Sequence, residues 1–296
     1  MKIKVVGCGN AFSYKNYNQS FLIEENDKAM LIDCGTRVPI ALHEQGIDVN
    51  KITDIYISHA HGDHCGGLEE VAFLRYDWVG RPTKHDDGKR SKDYAPRLIA
   101  NEVLLRDLWK HSLSGGLRSM EGFDASLETY FKPVPVKANQ KFVWEGWECS
   151  LVQQIHVMTG SVIMNTFGLF MENKETKRTV FFTTDAQYFQ PEQVKIFYDK
   201  AELIFQDTEV TGVDTKNKKL VFKSGVHASY AQLAGWDSVN AFKLDEKTKS
   251  KLWLSHYQDC VNVNKDFFGN DCDWEKQAKE DGFAGFVKVG QEFLIV

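Results

Sequence analysis

The sequence predicts an α/β fold, and three features of the chain support that class. Short apolar runs bounded by turn residues, such as Lys2–Val6 and Asp54–Ser58, are typical of strands. The apolar residues of Val38–Gln45 and of the segment after Gly67 recur at helical spacing and predict helices. Several strand-like runs are followed by a histidine or an aspartate, which predicts a functional edge where the strands end.

The first part of the chain predicts short strands joined by tight turns. Ser20–Glu24 and Lys28–Asp33 flank the turn residues Glu25-Asn26-Asp27 and predict a hairpin. The segment Gly7–Ala11 is rich in glycine, but it lacks the helix and the third glycine of a dinucleotide-binding fingerprint. We therefore expect a tight turn there rather than a phosphate cradle.

The second half of the chain alternates strands and helices in the same way. The basic run Lys216–Lys219 is interpreted as a solvated turn. No repeat or low-complexity segment interrupts the series, so we expect residues 1–296 to form a single domain. Strands are predicted at Lys141–Trp144, Glu148–Gln154, Phe167–Glu172, Thr179–Thr184 and Leu203–Phe205, and a helix at Val194–Tyr198.

One long connection, at about 76–132, is interpreted as an insertion that covers a site. Its part from Arg81 to Arg97 is charged and predicts an exposed loop, whereas Leu98–Leu108 predicts a strand followed by a helix. Its aromatic residues have two open interpretations, a surface that stacks on a nucleobase or the insertion's own small core. They are Tyr76, Trp78, Trp109, His111, Tyr130 and Phe131, of which we expect Tyr76, Trp109 and His111 to bind substrate.

Composition narrows the class of protein. With 43% hydrophobic residues, the chain can bury a sizeable core. The N-terminal segment is too short and too charged for a signal segment, and no apolar run approaches the roughly 18 residues of a membrane span. The six cysteines form no CxxC pair, so we expect reduced thiols and a cytosolic protein. A net charge of −5 argues against a grip on long nucleic acid.

The segment Tyr56–His64 carries the strongest functional signal. Its three histidines and one aspartate fall within six residues directly after an apolar strand. Histidine and carboxylate are the ligands of zinc sites that keep one position open for water. A histidine-rich loop can also be merely solvated, but this order of residues after a strand favours a metal site. The residues are His59, His61, Asp63 and His64.

This pattern, His59-x-His61-x-Asp63-His64, resembles the signature of the metallo-β-lactamase superfamily. The resemblance implies an αββα sandwich that holds one or two metal ions at one edge, with further ligands at later strand ends. A lone strand-end histidine is more often a hydrogen-bonded surface residue, but here the candidates follow the order of the family. They are His156, Asp185 and His256.

The resemblance also implies how the ligands are shared between two divalent ions. Asp33 matches an early acidic position that supports the ligand loop without binding metal. Zinc fits a shell rich in nitrogen ligands, while Mn²⁺ or Fe²⁺ suit the same geometry with carboxylates, so the identity of the metal stays open. The implied assignment places His59, His61 and His156 on one ion, Asp63, His64 and His256 on the other, and Asp185 between them.

Two further segments resemble the phosphodiesterase branch of the superfamily, which includes the transfer-RNA 3′-processing nucleases. Asp207 takes the place of the glutamate in their His-Glu-Ala-Thr segment, and Gln206 takes the place of its histidine. His227 lies in a segment similar to their His-Ser-Thr segment, which opens a helix. The resemblance implies that His227 donates a proton, that Asp207 orients it and that Asp63 is also catalytic. In an open alternative, His227 bonds to the backbone at the helix start.

Over the whole chain, the sequence is most similar to the phage-encoded anti-Pycsar cyclic nucleotide phosphodiesterases and their bacterial relatives. The similarity rests on residues 5–12, 59–64, 108–116 and 206–208 together with His227. It implies a homodimer that hydrolyses 3′,5′-cyclic nucleotides and blunts a bacterial antiphage signal, in the host cytoplasm if a phage encodes it. A membrane or a long nucleic acid is not expected as a partner.

Three rival functions share part of this pattern. A lactonase or thioester hydrolase would use the motif at 59–64 but needs no proton donor such as His227. A nuclease of the transfer-RNA 3′-end type is disfavoured by the balance of 36 basic against 41 acidic residues. A non-catalytic protein that sequesters a nucleotide would usually have lost the metal ligands.

Overall fold

The computed structural model describes residues 1–79, 95–137, 139–186, 191–223, 225–237 and 241–296. These residues group into two compact units, and each unit contains one large sheet. The predicted organisation, a single domain with an insertion at 76–132, stays a prediction. The first unit comprises Met1–Gly7, Tyr17–Gln140 and Val289–Val296, and the second comprises Cys8–Asn16 and Lys141–Lys288.

The first unit contains nine strands and six α-helices among its described residues. The strands are β1 (Lys2–Gly7), β2 (Ser20–Glu25), β3 (Lys28–Ile32), β4 (Asp54–Tyr56), β5 (Arg97–Asn101), β6 (Ser119–Met120), β7 (Phe123–Asp124), β8 (Lys132–Val136) and β18 (Glu292–Leu294). The helices are α1 (Val38–Glu44), α2 (Gly62–Cys65), α3 (Leu68–Leu74), α4 (Glu102–Leu108), α5 (Ser114–Leu117) and α6 (Leu127–Tyr130).

Seven of the described strands of the first unit form its sheet, in the order β18-β1-β2-β3-β4-β5-β8. The strands β1, β2 and β3 pair antiparallel, which confirms the predicted hairpin. The strands β3, β4, β5 and β8 run parallel. Because β3 and β4 are parallel neighbours, their carboxyl ends meet at one edge of the sheet. This pairing brings the residues after Ile32 beside those after Tyr56.

The helices of the first unit cover a hydrophobic core with their apolar faces. Leu68, Val71 and Ala72 of α3 are fully buried, as their helical spacing predicts. Tyr76 and Tyr130 belong to the same core, and their ring centroids lie 5.4 Å apart. These tyrosines therefore adopt the arrangement of the second interpretation, in which aromatic residues of the segment 76–132 form a core.

The segment 76–132 contributes β5 to the sheet of the first unit, and β8 begins at the last residue of the segment. β5 pairs with β4 and with β8, and α4 follows β5, which confirms the predicted strand and helix at 98–108. Arg97 begins β5, so the strand starts one residue earlier than predicted. Residues 81–94 of the predicted charged loop lie outside the described residues. A role of this segment in covering a site stays a prediction.

The second unit contains nine strands and four α-helices among its described residues. The strands are β9 (Lys141–Trp144), β10 (Trp147–Met158), β11 (Ile163–Asn173), β12 (Thr179–Phe182), β13 (Leu203–Asp207), β14 (Val213–Asp214), β15 (Lys219–Leu220), β16 (Leu252–Ser255) and β17 (Gly285–Phe286). The helices are α7 (Pro191–Lys200), α8 (Tyr230–Ala234), α9 (Glu246–Lys249) and α10 (Trp274–Glu280).

Seven of these strands form the sheet of the second unit, in the order β17-β16-β13-β12-β11-β10-β9. The strands β12, β13, β16 and β17 run parallel, whereas β9 to β12 pair antiparallel. The carboxyl ends of β12, β13 and β16 therefore meet at one edge. Asp185, Asp207 and His256 lie at those three ends.

Two features of the described residues bear on earlier expectations. No described helix has both the length and the apolar character that crossing a membrane requires. The six cysteines all lie within the described ranges and are free thiols.

Candidate metal centre

The histidine motif follows β4 and continues into the short helix α2. The backbone N–H groups of His64 and Cys65 both donate to the carbonyl of His61, at 2.9 Å, which closes the first turn. His59 and His64 are fully buried, whereas the carboxylate of Asp63 keeps 12% of its surface exposed. A tight turn after a buried strand therefore supplies all four polar side chains from six consecutive residues.

Asp33 holds this turn from the neighbouring strand end. Its Oδ1 accepts the backbone N–H of Ser58 at 2.8 Å, and its Oδ2 accepts the hydroxyl of Ser58 at 2.8 Å. The same Oδ2 lies 2.8 Å from Nδ1 of His64. Because a carboxylate only accepts, Nδ1 of His64 carries the hydrogen and Nε2 keeps its lone pair for a metal ion.

Ser58 also orients the ring of His59. Its hydroxyl oxygen lies 3.0 Å from Nδ1 of His59, and its hydrogen is already given to Asp33. The hydroxyl therefore accepts from Nδ1–H of His59, which leaves Nε2 of that ring with a lone pair. That Nε2 lies 3.2 Å from Nδ1 of His61. Two imidazole nitrogens converge in the way that a shared cation would stabilise.

Gly35 lets a neighbouring strand end pack against this turn. A Cβ atom at Gly35 would lie 1.9 Å from the carbonyl oxygen of Asp63 and 2.8 Å from Cβ of Asn18. Real Cβ contacts are never so short, so only glycine fits without moving the backbone of Asp63. Glycine at position 35 is therefore needed for the observed position of the Asp63 backbone. The sequence pattern of the motif does not reveal this requirement.

The second unit gathers its own cluster of acidic and imidazole side chains. One ligand atom from each of Asp185, Asp207, His227 and His256 lies within 4.8 Å of the others, so this cluster could hold a metal ion. Oδ1 of Asp185 lies 3.4 Å from Nε2 of His256, and its Oδ2 lies 3.6 Å from Nε2 of His156. All these side chains except His227 are at most 1% exposed.

His156 lies inside β10 rather than after a strand, which corrects the sequence expectation. The register of β10 against β11 shifts between Ile155 and Val157, so His156 sits at a β-bulge. The bulge turns its ring toward Asp185, and Nδ1 lies 2.9 Å from the carbonyl oxygen of Val226. Since a carbonyl only accepts, Nδ1 carries the hydrogen and Nε2, which faces Asp185, is the atom that can bind a metal.

Asp207 holds two histidines at the end of β13. Its Oδ1 lies 3.2 Å from Nδ1 of His227 and 3.3 Å from Nδ1 of His256, and its Oδ2 accepts the backbone N–H of Ala186 at 3.0 Å. Burial lowers the pKa of His227, but the carboxylates of Asp207 and Asp185 outweigh burial and raise that pKa. Burial raises the pKa of Asp207, and His227 and His256 outweigh it, so that pKa is lowered. The cluster therefore favours an imidazolium beside a carboxylate.

His227 does not cap the following helix. The N-cap of α8 is Ser229, whose backbone N–H donates to Oε1 of Gln232 at 3.4 Å. The imidazole of His227 instead contacts Asp207, and its ring centroid lies 4.6 Å from that of His256. Its side chain is 15% exposed, so one edge of the ring stays accessible. This geometry differs from the alternative in which His227 bonds to the backbone.

Gln206, which departs from the branch pattern, points away from this cluster. Its Oε1 accepts the hydroxyl of Tyr198 at 2.5 Å, and its Nε2 donates to the carbonyl of Asp207 at 2.8 Å. Gln206 therefore supports the backbone at the end of β13. The absence of a histidine at this position does not disturb the contact of Asp207 with His227.

Three residues beside these clusters have a left-handed backbone. Asp33, Thr184 and His256 have φ angles of 58°, 57° and 62°, respectively. Such angles are uncommon for residues other than glycine and cost on the order of 1–3 kcal/mol each. Each lies directly after a strand or next to a cluster aspartate, so the strain accompanies the turn that aims a polar side chain.

The aromatic residues predicted to bind substrate have different surroundings. Tyr76 is 5% exposed in the core of the first unit, Trp109 packs partly buried against that core, and His111 is exposed on the surface. The side chain of Trp78 lies outside the description. The burial of Tyr76 agrees with a role in the core, and the contacts of Tyr76, Trp109 and His111 with substrate stay predictions.

Comparison with solved structures defines the class of protein. The chain is similar to the metallo-β-lactamase fold protein YhfI from Bacillus subtilis, with a TM-score of 0.65 and 16% identity over 99% of this chain and 98% of that one. It is also similar to the short form of human tRNase Z, with a TM-score of 0.62 and 14% identity over 100% of both chains. The predicted metallo-β-lactamase fold is therefore confirmed.

Sequence comparison then identifies the family. Residues 1–293 match the family described as Anti-Pycsar protein Apyc1. A relative of that description from Bacillus phage vB_BveM-Goe7 is 31% identical over 303 residues, which cover 99% of this chain and 98% of the relative. The chain belongs to this family, and the resemblance inferred from its motifs is confirmed.

Proposed function

We propose that this protein is a metal-dependent phosphodiesterase that hydrolyses 3′,5′-cyclic nucleotides to linear nucleoside monophosphates. The observation that carries the proposal is the contact between Asp207 and His227 beside the cluster of Asp185 and His256. That contact provides a proton donor next to candidate metal ligands, which is what cleavage of a phosphodiester with a poor leaving group needs. The family description, with its reference to an anti-Pycsar role, supports a nucleotide signal as substrate.

The proposed cofactor is a pair of divalent ions, with zinc favoured by the nitrogen-rich donor set. Bound ions would activate water and neutralise charge on the phosphoryl oxygens. His59, His64 and His156 each have Nδ1 occupied by an oxygen partner, so each presents Nε2 as a ligand. The residues that would hold the ions are the ligands that the resemblance implies, namely His59, His61, Asp63, His64, His156, Asp185 and His256.

His227 is the proposed general acid. Its Nδ1 faces Asp207, so in the imidazolium form Nε2–H is the group that can donate to the departing ribose oxygen. The neighbouring carboxylates Asp207 and Asp185 raise its pKa, which favours the protonated ring. Positioned proton transfer of this kind contributes about 10²–10⁴-fold in rate.

Two of the rival functions fit the site and the composition less well. A lactonase or thioesterase expels a better leaving group and gains little from an imidazolium at His227. An RNA processor needs many contacts between basic side chains and phosphates, whereas this chain carries a net charge of −5. A small substrate held by metal ions and a stacked base fits the composition better.

The biological setting follows from the same proposal. Hydrolysis of a cyclic nucleotide would remove a bacterial antiphage signal, and the proposed place of action is the cytoplasm of the host. We further propose that the protein acts as a homodimer, as its resemblance to the anti-Pycsar group implies. Sedimentation of the purified protein would test the oligomeric state.

The decisive experiment compares two classes of substrate with zinc-loaded protein. A panel of 3′,5′-cyclic mononucleotides should yield linear monophosphates rapidly, with only mild dependence on salt. Precursor transfer RNA should be cleaved poorly, because this chain has few basic residues to spare for phosphate contacts. Each such contact would add about −0.7 to −0.9 to the slope of the logarithm of the binding constant against the logarithm of salt concentration. Efficient cleavage of that RNA, with every cyclic nucleotide left intact, would show that the proposed function is wrong.

A further inference from the structure

A loop of the second unit, residues 10–16, presents two largely exposed aromatic side chains. Phe12 is 82% exposed and Tyr14 is 77% exposed. Aromatic side chains bury about 150–250 Å² each when they pack, so two of them left in water within three residues suggest a binding surface. Neither the proposed metal ligands nor the proposed proton donor accounts for them.

This loop is fixed by the carboxylate of Asp259. Oδ1 of Asp259 accepts the hydroxyl of Ser13 and, at 3.2 Å, the side-chain amide of Asn16. Its Oδ2 accepts the backbone N–H groups of Tyr14 at 2.8 Å and of Lys15 at 3.2 Å. A single side chain thus fixes four consecutive residues, which include one of the exposed aromatics.

Further hydrogen bonds close the base of the loop. The backbone N–H of Cys8 donates to the carbonyl of Asn16 at 2.9 Å. The backbone N–H of Phe12 donates to Oδ1 of Asn10 at 3.1 Å, and Asn10 is itself only 8% exposed. The two rings are therefore presented on a backbone that is held by hydrogen bonds, so a ligand that stacks on them does not have to order the loop backbone.

The loop is joined to the strand end that carries His256. Gly9 forms a parallel bridge with Tyr257, the residue after His256, and the backbone N–H of Asn10 donates to the carbonyl of Tyr257 at 3.3 Å. Phe12 lies three residues after Gly9, so the Cα atoms of these two residues are at most about 11 Å apart. That distance is comparable with the length of one nucleotide, so a base on this loop and a phosphate near His256 can belong to the same molecule.

We propose that Phe12 and Tyr14 form the nucleobase-binding surface, stacking on the ring of a nucleotide whose phosphate is bound near His256. This inference rests on the proposed function. Stacking on an aromatic ring tolerates any base, because every base presents a π-face. The surface therefore supplies affinity for purine and pyrimidine nucleotides alike, without reading the hydrogen-bonding edge of the base.

The first test measures steady-state kinetics of the zinc-loaded full chain. The double variant Phe12→Ala/Tyr14→Ala should raise the KM for a cyclic mononucleotide by roughly 5- to 150-fold, the range expected for loss of one stacked base, with kcat little changed. Phe12→Trp should retain the wild-type KM, whereas Phe12→Leu should resemble Phe12→Ala because it keeps apolar bulk without a flat face. A cyclic ribose phosphate that lacks a base should show the same KM in every variant.

A second measurement separates this inference from the proposed function. The fluorescence of 2-aminopurine riboside 3′,5′-cyclic monophosphate should be quenched on binding to metal-free wild-type protein and not on binding to the double variant. Quenching that depends on Phe12, with no hydrolysis of any cyclic nucleotide, would leave the stacking surface standing and remove the proposed function. If the variants hydrolyse cyclic nucleotides with the wild-type KM and show the wild-type quenching, the proposed stacking surface is wrong and the proposed function is unaffected. An unchanged KM with dissociation of an oligomer would reassign the two rings to contact with a second copy of the chain.

Discussion

Nδ1 of His227 lies 3.2 Å from one carboxylate oxygen of Asp207 and 3.3 Å from the other, at the end of a central strand of the second unit. The contact fixes which ring nitrogen faces the carboxylate, so the opposite nitrogen, Nε2, points away from Asp207. Asp207 is fully buried and also contacts His256, so its position is set by the cluster as a whole. The pair explains how a histidine at a loop end obtains a defined orientation.

Replacement of His227 should affect substrates according to their leaving groups. His227→Ala should lower kcat for a cyclic nucleotide by about 10²–10⁴-fold, because a ribose oxygen needs a proton as it departs. An activated aryl phosphodiester needs no such proton and should lose far less. Steady-state kinetics on both substrates check this, with the exposed His43→Ala on α1 as control. Equal losses on both substrates would assign His227 to positioning or structure instead.

A methyl group at Gly35 should disturb the histidine motif. Gly35→Ala places a Cβ atom 1.9 Å from the backbone of Asp63, so the turn must shift, at a cost of about 1–3 kcal/mol in stability. Zinc affinity, measured by competition with a chelator, should fall together with the Tm. Gly115→Ala in α5 is the matched control, because nothing lies within 4 Å of its Cβ and helix propensity favours alanine. Wild-type zinc affinity in Gly35→Ala would contradict the close approach.

Metal removal should abolish activity and lower thermal stability. Elemental analysis of active protein is expected to give close to two transition-metal ions per chain. Saturating metal stabilises the folded state by about 2.7 kcal/mol at one hundred times Kd, so chelation should lower the Tm and zinc should restore it. Asp63→Ala should lose activity and bind less metal while it stays folded, whereas Asp107→Ala on α4 should change neither. Full turnover by Asp63→Ala at controlled zinc would argue against the two-ion assignment.

A carboxylate remote from both clusters should control the acid stability of the second unit. Asp266 accepts hydrogen bonds from the backbone and hydroxyl of Thr215, from the backbone of Phe268, and from the backbone and amide of Asn270. Burial raises its pKa, but these hydrogen bonds outweigh burial and lower the pKa. A lowered native pKa stabilises the fold above the unfolded pKa of about 3.9, and this contribution is lost as pH falls through the native pKa.

Asp266→Asn should therefore cost about 1–3 kcal/mol at pH 7, because its amide group faces donors. The difference from wild type should shrink below about pH 4, since the unfolded wild-type chain then takes up a proton while the native carboxylate, with its lowered pKa, still resists protonation. Urea unfolding of both metal-free proteins from pH 7 to pH 3 would measure this. Asp271→Asn, whose side chain is 93% exposed, should stay within about 0.5 kcal/mol of wild type. A constant difference across the whole range would contradict the role of the charge.

The fold class and the candidate ligands were accessible from the sequence because their signals are local. The motif at 59–64 compresses four donors into one turn, and apolar runs mark the strands that precede Asp185 and His256. The partners that orient these donors are not local. The carbonyl of Val226 contacts His156 from 70 positions further along the chain, and no sequence pattern predicts that contact.

One expectation failed, and one choice between two interpretations needed the structure. The alternation of apolar residues predicted that a strand ends before His156, but a bulge lets β10 continue to Met158. The aromatic character of Tyr76 is compatible with stacking or with packing, and only the burial of its ring in the core distinguishes them. Sequence likewise could not show that Gly35 is required, because the contact depends on a neighbouring strand end.

The pairing of β1 with β18 has a consequence for synthesis of the chain on the ribosome. Lys2 pairs with Leu294, so the edge of the first sheet is complete only when nearly the whole chain has emerged. At about 5–20 residues per second, the N-terminal strand waits roughly 15–60 s for its partner. During that interval its open edge can template association with other nascent chains, which makes expression yield sensitive to translation speed and to chaperones.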